Sequence, residues 1–186
     1  MTSIAFHKTR ARHAASAVRA SLADNGAGAE LIGHWPAARF AGKSVALFWP
    51  IKDEIDVLPL MRALQGAGQV TALPRIVRKA HPLSFHAYRE GDALKRGPYG
   101  TAEPLKTAPI IIPDIVLLPL LAFGPDGARL GYGGGFYDRT IGQLREGGDV
   151  FACGVAYLGQ EAANIPIDRY DERLDGVLTE HGFREF

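Results

Sequence analysis

Short apolar runs bounded by proline and glycine, alternating with helical stretches, constrain the fold of this 186-residue chain more than any other feature of it. The run IVLL at 115–118 is too short and too β-branched for a helix and reads as a buried strand. Residues 44–49 (SVALFW), stopped by Pro50, and 151–157 (FACGVAY) read the same way, as do residues 69–73 ahead of Pro74. A strand at a sheet edge is predicted over 83–88. Between these runs, helices are predicted over about 3–23, 29–40 (interrupted by Pro36), 56–65 and 136–145. In the first of them Ala11, Ala14, Ala15, Val18 and Leu22 share one face, and Asn25-Gly26 ends the pattern. Such alternation argues for an α/β fold, a central mostly parallel sheet flanked by helices, with ligands at the carboxyl ends of the strands. Residues 89–113, with Gly91, Gly97, Pro98, Gly100, Pro104 and Pro109, read as a long surface excursion, and 120–135 as loop. No repeat, low-complexity tract or linker divides the chain, so residues 1–186 are expected to form one domain.

Composition narrows the partners. With 47% hydrophobic and 22% charged residues the chain can bury a sizeable core, and a formal net charge of +1 provides no global field for wrapping nucleic acid. The single cysteine, Cys153, lies in an apolar run, reads as an inert core thiol and suits a reducing compartment. Neither a signal-peptide core nor an apolar stretch of membrane-spanning length is present, so a soluble, cytoplasmic protein is expected, with no membrane partner. The histidines at 7, 13, 34, 81, 86 and 181 show no metal-ligand spacing.

The chemistry concentrates in residues 129–139, RLGYGGGFYDR, between a predicted strand and a predicted helix. Gly131, Gly133, Gly134 and Gly135 let backbone N–H groups converge, and the helix end behind them adds partial positive charge, which makes an anion cradle. Arg129 supplies a planar fork for phosphate oxygens; Asp138 beside those oxygens implies a divalent cation, Mg²⁺, between them. The loop is neither a Walker loop, since no GxxxxGK[ST] occurs, nor a dinucleotide fingerprint, since Phe136 takes the third glycine position. A bare glycine run is more often a turn that permits tight packing; the arginine before it and Tyr-Asp-Arg after it weigh against that reading. On the first helix Lys8, Arg12 and Arg19 lie within roughly 40° of one another beside the apolar face. With a phosphate loop elsewhere in the chain, Lys8 and Arg12 are read as pointing into a cleft, Lys8 as still exposed enough to matter little for folding, and Arg19 as a solvated rim residue.

RLGYGGGFYDR, preceded by Pro119 and the turn AFGPDG, resembles the signature of the 5-formyltetrahydrofolate cyclo-ligase family. Phe136 stands where the family usually has tyrosine and Gly124 where an acid is usual. The resemblance continues in Lys8 and Arg12, in residues 48–55 with Trp49 and Glu54 at substrate-contacting positions, in Glu103-Pro104, and in Asp171 with the later LDGVLTE; Tyr170 replaces a frequent histidine. It implies a single domain of the NagB/RpiA/CoA-transferase-like type that uses ATP and Mg²⁺ to cyclise 5-formyltetrahydrofolate to 5,10-methenyltetrahydrofolate. The same resemblance implies Lys8, Arg129 and Asp138 as catalytic groups. ATP would lie on Lys8, Arg12, Arg129, Gly131, Gly133, Gly134, Gly135 and Tyr137, and folate on Trp49, Glu54 and Tyr132 to Phe136. Asp138 and Asp171 would hold the metal, in a monomer or weak homo-oligomer. Two other readings stay open: an ATP-binding paralogue acting on another metabolite, such as a thiamine-related compound, and a non-catalytic nucleotide- or folate-sensing module.

Overall fold

The computed structural model describes residues 4–24 and 26–186; Ser3 and Asn25, which the expected first helix and its terminus include, lie outside them. Its helices are α1 (Ile4–Leu22), α2 (Ala27–His34), α3 (Leu58–Gly66) and α4 (Phe136–Gly147). Its strands are β1 (Val45–Ala46), β2 (Thr71–Ile76), β3 (Leu83–Ala87), β4 (Leu94–Arg96), β5 (Ala102–Pro104), β6 (Ile115–Pro119), β7 (Ala122–Phe123), β8 (Arg129–Leu130), β9 (Phe151–Val155), β10 (Gly176–Thr179) and β11 (Gly182–Glu185). Seven strands form the main sheet in the order β11-β10-β9-β6-β1-β2-β3, parallel throughout except for the two edge strands β3 and β11.

The period of two along the central strands builds two cores. Val45, Leu47, Ile115, Leu117, Cys153 and Val155 point to one face, where Leu31 of α2 and Leu60 and Leu64 of α3 cover them. Ala46, Val116, Leu118 and Ala152 point to the other, against Ile141 of α4. Burial on both faces is why these runs are apolar without interruption. Local chemistry sets the helix limits. The Asp56 carboxylate accepts the Leu58 N–H at 2.9 Å and Pro59 occupies the first turn of α3, whereas α2 stops short of Pro36 instead of running to residue 40. Pro74 has no N–H for β1, and the β1–β2 register accordingly runs only to Ala46–Ala72.

Four parts of the sequence reading are corrected. The excursion 89–113 carries the antiparallel pair β4–β5, and the stretch 120–135 carries the hairpin β7–β8. The C-terminal hairpin β10–β11, closed by Glu180 and His181, was not foreseen. The first helix does not bury its alanine-valine face: its buried residues are Lys8 and Arg19, while Val18 is exposed. α1 lies across the carboxyl ends of the strands, with Arg19 reaching Asp53 beyond β1 and the Leu120 carbonyl beyond β6. What it meets there is polar, so its charged side chains are the ones that point inward.

Candidate active site

A cleft of about 1420 Å³ opens at the carboxyl ends of the parallel strands, roofed by α1 and walled by the loop between β8 and α4. Single-ligand pockets usually span about 300–1,000 Å³, so this one has room for two ligands at once.

The glycine loop is bent in a way that side chains resist. Gly133 and Gly135 sit at φ 94° and 63°, and a Cβ on either would press against a guanidinium, that of Arg12 at 3.0 Å or of Arg139 at 2.7 Å. No side chain caps the start of α4, whose first residues line the cleft. Around this cradle the expected cations converge from opposite ends of the chain. Arg12 donates through Nε to the Gly131 carbonyl at 3.0 Å. Arg129, buried, donates to Asp138 at 2.5 Å, and the Glu172 backbone N–H donates to the same carboxylate oxygen at 3.2 Å. Lys8 donates to Asp168 at 2.8 Å and also to Asp171.

Lys8 is therefore not the exposed residue its sequence context suggested; it is 7% exposed and ties α1 to the turn at 168–171. Burial alone would push its pKa down, but the hydrogen bonds it donates to Asp168 and Asp171, with their charges, outweigh that, and the net direction is up. In return the Lys8 ammonium, with the Tyr170 N–H, holds the Asp168 carboxyl below its ordinary range. Arg19 is the second correction. It is 1% exposed, engages both oxygens of Asp53 at 3.0 Å, lies 3.8 Å from Glu54 and stacks over the Tyr132 ring at 5.1 Å.

The other half of the cleft is aromatic and carboxylate. Glu54, buried, accepts the Ile51 N–H at 3.0 Å and the Tyr132 hydroxyl at 2.9 Å. Burial is the main reason its carboxyl pKa is raised, against the lowering effect of those hydrogen bonds and of Arg19. Burial, with the Glu54 charge, also raises the phenols of Tyr132 and Tyr137. Trp49 meets Tyr88 edge-on at 6.4 Å, and Phe136 meets Tyr99 at 6.3 Å, so the site of the missing hydroxyl is an aromatic contact with the excursion hairpin. All the expected site residues line this one cleft. Asp168, Arg19 and Asp53 were missed as members or supports of it, because their partners lie 160 and 34 residues away and leave no local signature.

Among the described residues no three His, Cys, Asp or Glu side chains gather to hold a metal by themselves. Asp138 and Asp171 nevertheless share one wall, since Asp138 accepts the N–H of the residue that follows Asp171. Mg²⁺ is ordinarily held by one or two carboxylates plus phosphate oxygens, and this pair fits that donor set once a nucleotide supplies the rest. No helix of the described residues is long and apolar enough to cross a membrane.

The model of the 5-formyltetrahydrofolate cyclo-ligase family matches residues 12–180. The 5-formyltetrahydrofolate cyclo-ligase of Haemophilus influenzae is 33% identical over 142 residues, 74% of this chain and 75% of the relative. That of Escherichia coli K12 is 32% identical over 145 residues, 73% and 77% of the respective chains. Among solved structures, 5,10-methenyltetrahydrofolate synthetase from Aquifex aeolicus superposes with a TM-score of 0.78 at 27% identity, covering 96% of this chain and 92% of its own. The synthetase from Mycoplasma pneumoniae shares the fold, with a TM-score of 0.72 at 21% identity over 93% of this chain and 98% of its own.

Proposed function

The chain belongs to the 5-formyltetrahydrofolate cyclo-ligase family, and we infer that it is the ATP-dependent enzyme that closes 5-formyltetrahydrofolate to 5,10-methenyltetrahydrofolate with release of ADP and phosphate. The observation that carries this reading is a single cleft with a cation-ringed glycine loop at one side and a carboxylate and aromatic wall at the other. Polyphosphate suits the first and a flat heterocycle the second.

An N5-formyl group is an amide, and its oxygen is a poor leaving group. Transfer of the γ-phosphoryl group of ATP to that oxygen gives an iminium phosphate and ADP; N10 of the same molecule attacks the formyl carbon and gives up its proton, phosphate departs, and the methenyl bridge remains. The second step is intramolecular, so the protein has to position two substrates and stabilise phosphoryl charge. Lys8, Arg12 and Arg129 take the triphosphate with the backbone of Gly131, Gly133, Gly134, Gly135 and Tyr137. Trp49, Glu54, Tyr132 and Phe136 take the folate. Mg²⁺, where bound, supplies charge neutralisation between phosphate oxygens, and Asp138 and Asp171 are the residues that would hold it. The same reading has the protein acting in the cytoplasm on small molecules, as a monomer or weak homo-oligomer with no nucleic-acid or membrane partner. No observation favours the thiamine-related paralogue or the non-catalytic sensor.

Mixing the protein with 5-formyltetrahydrofolate, ATP and Mg²⁺ should produce the near-ultraviolet absorbance of the methenyl product together with equimolar ADP. Nucleotide binding without product would refute the assignment.

Two substitutions divide the site. Glu54→Gln is expected to raise KM for the folate about tenfold, the value of a hydrogen bond to a charged group, and to leave KM for ATP unchanged. Equal weakening of both ligands would argue against the division. Because burial raises the Glu54 pKa in the folded protein, the stability it confers is full below its unfolded pKa and is lost as pH rises through the folded one. The amide should therefore leave the ligand-free protein as stable or more stable at neutral pH, as a melting curve against pH would show. Asp138→Asn keeps volume and one acceptor while removing charge, so the Mg²⁺ midpoint is expected to rise by about tenfold with lower turnover at saturation. Because it also weakens the ion pair with buried Arg129, the ligand-free protein should melt at a slightly lower temperature. A wild-type Mg²⁺ titration would return Asp138 to a purely structural partner of Arg129.

A further inference from the structure

The glycine loop is gripped by two arginines, and only one of them has a place in the site as described. Arg12 holds the Gly131 carbonyl from α1. Arg139, on the first turn of α4, holds the Gly134 carbonyl: its Nη2 donates to that oxygen at 2.6 Å, while its own backbone N–H donates to the Gly135 carbonyl at 3.2 Å. The guanidinium also lies over the Phe136 ring, 5.6 Å from its centroid, and fills the space beside Gly135, where a Cβ would come within 2.7 Å of Nη1. Phe136 in turn packs on Gly134, whose Cβ would stand 3.0 Å from the ring. This packing leaves the buried Nε–H of Arg139 with no acceptor among the described residues. A buried donor left open is costly, so the pose is held by the rest of the fork and by the planar face.

Together they fix one peptide plane. In a trans peptide the C=O and N–H point to opposite sides, so the bond to the Gly134 oxygen also sets the direction of the Gly135 N–H. Glycine on both sides makes rotation of that peptide easy, and Gly135 sits at φ 63°, in the region that glycine enters freely. A rotated peptide presents a carbonyl oxygen where an N–H stood, and a phosphate group then meets repulsion in place of a donor.

We propose that Arg139 is a positioning residue for phosphoryl transfer, which holds the Gly134–Gly135 peptide with its N–H toward the triphosphate and so sets the loop before ATP arrives. The proposal rests on the glycine loop being the ATP site of the cyclisation and deepens that reading. Arg139 acts through the loop and not on the substrate. The clamp uses the face of the ring at position 136, which phenylalanine offers as well as tyrosine does.

The test compares steady-state kinetics and melting curves of the wild-type protein, Arg139→Ala and Arg139→Lys. Each is assayed with low millimolar guanidinium chloride, far below denaturing strength, and with sodium chloride at equal ionic strength. Arg139→Ala should lower kcat about 10- to 100-fold, the scale of a misplaced donor in a phosphate site, and raise KM for ATP. KM for the folate and the melting temperature should stay near wild type. Guanidinium entering the vacated slot should restore part of kcat in Arg139→Ala and change nothing in the wild type. Arg139→Lys, which keeps a donor but no planar face, should fall between the two. A folded Arg139→Ala protein with wild-type kcat overturns the proposal. So does one that fails to fold, or whose lower kcat goes with a lower melting temperature and no response to guanidinium, which is the behaviour of a merely structural residue. Those outcomes leave the functional reading standing, whereas absence of turnover with 5-formyltetrahydrofolate in the wild type overturns that reading and this inference with it.

Discussion

Replacing Lys8 with alanine is expected to lower kcat/KM for the cyclisation by about a thousandfold. Opposite unit charges about 4 Å apart interact by roughly 4 kcal/mol at an effective dielectric near 20, and that figure bounds what a lysine contributes to a transferring phosphoryl group. The side chain ties α1 to the 168–171 turn, with Arg12 a turn further along the helix against the glycine loop. Its two carboxylate partners keep it charged and extended toward the cleft in the empty protein. On the sequence alone the alanine variant would melt at the same temperature or slightly higher. The structure reverses that sign, because Asp168 and Asp171 lose their shared cation, and a small fall in the thermal midpoint is expected. Steady-state kinetics with circular-dichroism melts separate the two effects. Near-normal turnover in a folded variant would take Lys8 out of the phosphate site.

The largest effect on stability is expected at Arg19. Arg19→Met should cost about 3–5 kcal/mol, the range for removing one member of a buried ion pair, and lower the thermal midpoint by on the order of 10 °C. The guanidinium is 1% exposed and holds four groups together: both oxygens of Asp53, the Leu120 carbonyl, Glu54 at 3.8 Å and the Tyr132 ring. Lysine should rescue little, since a point charge cannot reproduce the bidentate fork or the stacking. Asp53→Asn should cost less, because that carboxylate is partly solvated, and the double variant should show coupling between the two sites. Urea denaturation measures all three. An Arg19→Met protein within about 1 kcal/mol of wild type would mean that α1 is held by other contacts. Because Arg19 also orients Tyr132 and Glu54, the surviving variant should use folate less well while its use of ATP is less affected.

Where physical information is local, the sequence by itself was enough. Residues 115–118 and 151–155 are strands because an apolar run buried on both faces admits little else, and the bends at Gly133 and Gly135 are written in glycine because φ near 94° and 63° is unfavourable for other residues. Lys8, Arg12, Arg129, Glu54 and Asp138 were singled out by their resemblance to family motifs, and the structure brings all five to one cleft. Only the tertiary structure decided which charges are satisfied by which. α1 carries Lys8, Arg12 and Arg19 on one stripe, and nothing within the helix distinguishes the residue that reaches the 168–171 turn from the one that grips Asp53. Helix and strand periodicity report on neighbours within a few residues, whereas an ion pair spanning 160 positions exists only after the sheet has set the separation of its partners.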